Sequence, residues 1–75
     1  MTVNELKKRI LSLTDGISLV WNDEYIYIDP FSKTNIKVYY NDKEYNYTSI
    51  NDLFNDDIYD DYTLTEIIKD IKLAP

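Results

Sequence analysis

The spacing of apolar residues along the chain changes period twice, from helical to alternating and back to helical. Val3, Leu6, Ile10, Leu13 and Ile17 recur at helical spacing behind Thr2 and Glu5, which fit a Ser/Thr-x-x-Glu capping box. The pattern predicts a helix over about residues 3–14. Lys7, Lys8 and Arg9 fall off its apolar stripe, toward the end where the helix dipole favours cations. Asp15-Gly16 is the expected stop, with Gly16 in the left-handed cap conformation. From Ile17 the period is two. Ile17–Trp21 reads as a strand, Asn22-Asp23 as a turn, and Glu24–Asp29 as a second strand ended by Pro30. Asn35–Tyr40 alternates again, and Asn41-Asp42-Lys43 leads tightly into a fourth strand, Glu44–Thr48.

After Tyr47 the helical period returns. Ser49 or Thr48 can cap a short helix carrying Ile50, Leu53 and Phe54, with Ile58 beyond. Thr63 and Glu66 form a second capping box ahead of Leu64, Ile67, Ile68 and Ile71. Ala74-Pro75 reads as a frayed end. The expected fold class is α+β: one domain over 1–75, in the order α-β-β-β-β-α-α. Its four-stranded antiparallel sheet carries the first and last helices on one face.

Composition narrows the chemistry. Seventy-five residues lie near the lower limit for a domain folding without a staple. Cys and His are absent, which removes disulfides, thiolate metal sites and the commonest general base and metal ligand. With one glycine, no glycine-rich phosphate loop is present. Two-carboxylate hydrolysis needs a cleft that this small chain is not expected to build. The expectation is a protein without catalytic residues, metal or cofactor, and not an enzyme. No run is apolar enough to span a membrane or serve as a signal-peptide core, so a cytoplasmic setting is expected, with no membrane partner.

Charge is focused in one stretch. Residues 44–68 hold seven acids and no base, whereas residues 1–43 hold six of each and residues 69–75 add +1, giving the net charge of −6. Asp52, Asp56, Asp57, Asp60 and Asp61 fall within ten residues, interleaved with Phe54, Ile58, Tyr59 and Tyr62. Such a run commonly does no more than keep a surface solvated. Its sharper use is as a decoy: a row of carboxylates can occupy a basic groove built for phosphates, with aromatic neighbours such as Phe54, Tyr59 and Tyr62 as anchors. On that reading the contact set is Asp52, Asp56, Asp57, Tyr59, Asp60, Asp61, Tyr62 and Glu66. A sequence pI near 4.3 argues against direct nucleic-acid contact and for a basic partner.

Two other patterns carry alternatives. Counting Asn55 as position 1 sets Asp57, Tyr59, Asp61, Thr63 and Glu66 at EF-hand ligand positions, but Asp60 stands where the loop needs glycine. An accidental match in a solvated loop is the simpler reading. Among the eight tyrosines, Tyr40, Tyr45 and Tyr47 are expected in the core with hydroxyls at its rim. Tyr25, Tyr27 and Tyr39 share the opposite face by parity and form the alternative contact set, either as ordinary strand formers on a wet face or as an interface for self-association or a protein partner.

The segments MTVNELKKRI and SINDLFNDDIYDDYTLTEIIKDI resemble small proteins encoded by phages and prophages of low-GC Gram-positive bacteria. In overall character the chain is similar to small acidic anti-CRISPR proteins, which inhibit RNA-guided nucleases by occupying their DNA-binding surfaces. The resemblance implies a counter-defence inhibitor whose partner is a basic nucleic-acid-binding protein of the bacterial host, an RNA-guided nuclease among the candidates. The rival reading is a structural or accessory module that associates through its tyrosine face.

Overall fold

The computed structural model describes residues 1–13 and 15–74. Helix α1 spans Val3–Leu11. Its capping box forms as the sequence implies: the Glu5 N–H donates to Thr2 Oγ1 at 3.1 Å and the Thr2 N–H to Glu5 Oε1 at 3.2 Å. The helix stops earlier than its apolar stripe suggests. Ser12 closes it, its hydroxyl donating to the Arg9 carbonyl at 2.6 Å, and Leu13 takes the left-handed conformation at φ 56°. Thr14, the expected last residue, lies outside the described residues. Gly16 is therefore not the left-handed cap. Its reason is steric, because a Cβ there would run into the Tyr27 ring.

Four strands follow as a meander: β1 Ile17–Trp21, β2 Glu24–Ser32, β3 Asn35–Tyr40 and β4 Lys43–Tyr47. Pro30 does not end β2. It lies inside the strand opposite Ile36, next to a bulge before Ser32. The pairing with β1 has already finished at Ile28 opposite Ile17, so the proline stands where one side of the strand is open. Helix α2, Ile50–Asn55, is capped by Ser49, whose hydroxyl accepts from the Asp52 N–H at 3.1 Å.

The expected final helix divides. Helix α3 covers only Leu64–Ile67, with its Thr63–Glu66 capping box in place, and a 3-10 turn continues over Ile68–Asp70. The β-branched pair Ile67-Ile68 is a weak helix former at that point. The tighter turn aims the chain at a fifth strand, β5 Lys72–Leu73, which pairs antiparallel with β1. Ala74 is not frayed, because its N–H donates to the Ser18 carbonyl at 2.9 Å. The sheet thus has five strands in the order β4-β3-β2-β1-β5.

Alternation sorts the sheet into two faces. Leu19, Trp21, Ile26, Ile28, Ile36, Val38, Tyr40 and Tyr47 point to the helices and join Leu6, Ile10, Leu53, Phe54, Leu64, Ile67, Ile68 and Ile71 in one core. Among the described residues nothing covers the other face. No helix among the described residues is long and apolar enough to cross a membrane.

Candidate partner-binding surface

The acids that dominate residues 44–68 do not act as one row. Most of them serve the local fold. Asp52 stands in the first turn of α2, where a carboxylate suits the helix dipole. Glu66 accepts from the Thr63 N–H at 2.9 Å. Asp56 caps the end of α2 and accepts from the Tyr47 hydroxyl at 2.8 Å. Glu44 pairs with Lys37 at 3.2 Å. Hydrogen bonds from Lys37 and Tyr39, with the Lys37 charge, hold the Glu44 carboxyl below its ordinary range, and Glu44 raises Lys37 in return. Asp57 is exposed just after α2.

Asp60 and Asp61 form a turn. Both have positive φ, 52° and 68°, and the flanking tyrosines close a two-residue hairpin: the Tyr59 N–H donates to the Tyr62 carbonyl at 3.1 Å and the Tyr62 N–H to the Tyr59 carbonyl at 2.9 Å. This arrangement displaces the calcium-loop geometry. Glu66 is committed to capping, and among the described residues no group of three or more acidic side chains could hold a metal ion.

Two expected contact aromatics are corrected by burial. Tyr59 and Phe54 are core residues, Tyr59 wholly so, and cannot anchor a partner. Tyr59 packs its ring against Tyr40 at 5.1 Å, and this tyrosine pair occupies the space between sheet and hairpin. Tyr62 remains exposed and meets Trp21 edge-on at 6.5 Å. Tyr40 and Tyr47 are in the core as expected. The Tyr40 hydroxyl is not at a wet rim, however. Both it and the Tyr59 hydroxyl are shielded from solvent; the Tyr59 oxygen lacks a hydrogen-bond partner, and the Tyr40 oxygen has the Glu24 carboxylate beside it. Burial and the nearby Glu24 carboxylate push the Tyr40 phenol up to about 12. Burial also raises Tyr59, and burial with the Asp56 bond raises Tyr47.

The structure brings together acids that the sequence keeps apart. Asn22-Asp23 joins β1 to β2 and Asn41-Asp42 joins β3 to β4, all four residues with positive φ. Ile26 pairs with Tyr40, so the two turns lie at the same end of the sheet. The Trp21–Tyr62 contact, and the position of the Tyr40 hydroxyl near both Glu24 and Asp60, bring the Asp60-Asp61 turn to that end as well. The pole so formed carries Asp23, Glu24, Asp42, Asp60 and Asp61 against Lys43. Only Asp60 and Asp61 of this set lie in the acidic run. Asp23, Glu24 and Asp42 belong to the charge-balanced first part of the chain, and repetition of an Asx-Asx pair between alternating segments was the one signal that could have joined them.

The open sheet face begins beside the pole. Tyr25, Tyr27 and Tyr39 are exposed on it as parity predicts, with Phe31. Tyr27 and Tyr39 are register partners with ring centroids 6.1 Å apart. Lys37 lies 5.6 Å over the Phe31 ring and bridges to Glu44. Comparison with known proteins found no matching family model, no matching curated protein and no matching solved structure.

Proposed function

We propose that this protein is a non-catalytic binding protein that docks its acidic pole on a basic, nucleic-acid-binding surface of another protein, in the manner of a phage-encoded inhibitor of the counter-defence or anti-CRISPR type. One observation carries the reading. In a two-residue hairpin turn with both residues at positive φ, backbone geometry favours Asn or Asp followed by Gly. Here the second position, where glycine is favoured, is Asp in all three turns. Turn formation does not call for that charge, and neighbouring carboxylates repel. A partner with a phosphate-binding groove supplies the compensating cations, and steering by the pole speeds the encounter. The contact set is then Asp23, Glu24, Asp42, Asp60, Asp61 and Tyr62.

The test uses the variant Asp23→Asn/Asp60→Asn/Asp61→Asn, which keeps residues that tolerate positive φ. Wild type and variant serve as baits in a lysate of a low-GC Gram-positive host. A basic DNA- or RNA-binding protein held by the wild type only, released by moderate salt and displaced by duplex DNA, supports the reading. Retention of the same partner by both baits overturns it. The exposed, charge-balanced tyrosine face supports a second reading, self-association. Sedimentation showing a dimer that persists in high salt and is lost in Tyr27→Ser/Tyr39→Ser would favour that one.

A further inference from the structure

The two borders of the sheet are finished differently. β5 pairs with the outer side of β1, whereas β4 closes the opposite side with no strand beyond it among the described residues. We infer that β4 is a dimerisation edge, which pairs antiparallel with β4 of a second copy of this chain about a two-fold axis at Tyr45. The pairing is independent of the docking proposal, because it uses none of that contact set.

Register fixes which backbone groups are free. Tyr40 opposite Lys43 closes the two-residue Asn41-Asp42 turn, and alternation from that pair turns the N–H and C=O of Tyr45 and Tyr47 toward β3. Those of Glu44 and Asn46 point away from the sheet, and among the described residues no backbone bond from outside the sheet reaches them. The strand has no proline, and its pairing with β3 has no bulge, two devices that commonly blunt an edge. Three observations choose a second copy as the occupant. Centring the pair on Tyr45 brings all five strand residues into register and sets Glu44 opposite the copy's Asn46, whose amide can donate to the carboxylate. The shifted register that sets Glu44 opposite itself would place like charges together. Tyr45 points to the helix side yet is only half-buried, unlike its cross-strand partner Val38 and its neighbour Tyr47. Its own copy supplies the missing cover as a cross-strand aromatic pair. Antiparallel pairing also sends the two acidic poles to opposite ends of the joined sheet, which keeps apart the charge that would repel two copies.

Sedimentation of the full chain should show a reversible dimer of the 9.0 kDa protein. Asn46→Pro removes a donor that faces solvent in the monomer, a position where an edge strand accepts proline. It should weaken dimerisation at least about ten-fold and leave the far-ultraviolet dichroism of the fold in place. Cysteine is absent from the chain, so single substitutions report the register. Tyr45→Cys should link two copies through a disulfide under mild oxidation, because residues facing each other at the axis stand about 4.5 Å apart at Cα. Asn46→Cys, set off the axis, should not. A wild-type chain that stays monomeric at about 1 mM overturns the inference. So does a dimer that a folded Asn46→Pro leaves intact, or one dissolved by Tyr27→Ser/Tyr39→Ser alone, which would belong to the tyrosine face. Should Asn46→Pro fail to fold, the cysteine pair decides: a link through Tyr45→Cys only supports the β4 edge, and its absence removes it.

Discussion

At the scale of single residues, the tyrosines divide the molecule more sharply than any other type. Parity along β2 and β3 was enough to put Tyr25, Tyr27 and Tyr39 outside and Tyr40 inside. Tyr59 was misread because an Asp-rich neighbourhood looks wet, and only the closed hairpin reveals that its side chain turns inward. Its hydroxyl is an orphan, and an unsatisfied buried polar group is destabilising. Tyr59→Phe should therefore raise unfolding stability by about 1 kcal/mol in a denaturant titration. A loss of similar size would mean that a buried water already serves that oxygen. The phenols also set an alkaline limit. Tyr40 is pushed up to about 12, and Tyr47 and Tyr59 are raised too. A raised phenol keeps its proton better in the folded state, so its contribution is complete below the ordinary tyrosine range near 10 and is lost as pH rises through the folded value. Circular dichroism should report unfolding between about pH 10 and 12, accompanied by a late rise in phenolate absorbance. Phenolate forming fully while the fold persists would contradict it.

At the scale of elements, the strands were legible because period two is a strong signal and two of the three turns that separate them are Asx pairs, Lys33-Thr34 being the third. Both capping boxes were legible for the same local reason. Helix ends and β5 were not. A left-handed Leu13 has no sequence mark, and two residues that pair with a strand some fifty positions earlier show no period at all. The acidic pole was half legible: the run at 52–61 was visible, but pooling of three turns requires the strand register. The turns make a direct prediction. Asp61→Gly should hold or raise stability, because glycine adopts positive φ without penalty, whereas Asp61→Val should cost about 1–2 kcal/mol by thermal unfolding. Equal effects of the two changes would mean that the turn is not held at positive φ.

At the scale of the whole molecule, net charge and its placement govern behaviour in salt. The chain carries −6, and five of its acids crowd one end. Self-repulsion of this kind weakens a compact state and is screened by ions. Wild-type Tm should rise as sodium chloride increases over the range in which the Debye length falls from about 30 Å to 10 Å. The Asp23→Asn/Asp60→Asn/Asp61→Asn variant should start higher and respond less. A parallel rise in both proteins would place the repulsion elsewhere.

The short β5 strand has a consequence for the fate of the chain after synthesis. Leu73 opposite Leu19 and Lys72 opposite Val20 cap the otherwise bare border of β1, whose sequence Ile-Ser-Leu-Val-Trp has high β-propensity and no charge. The meander joins neighbours in sequence, while this closing contact spans some fifty residues and carries the larger loop-closure cost, which puts it late in folding. Until then β1 is an adhesive margin on which a second molecule could add a strand. Lys72→Pro removes a backbone donor at this margin. It should leave monomeric far-ultraviolet dichroism nearly intact yet seed amyloid-type fibres that bind thioflavin T. Such a chain fails by polymerising rather than by melting, and two residues set its shelf life.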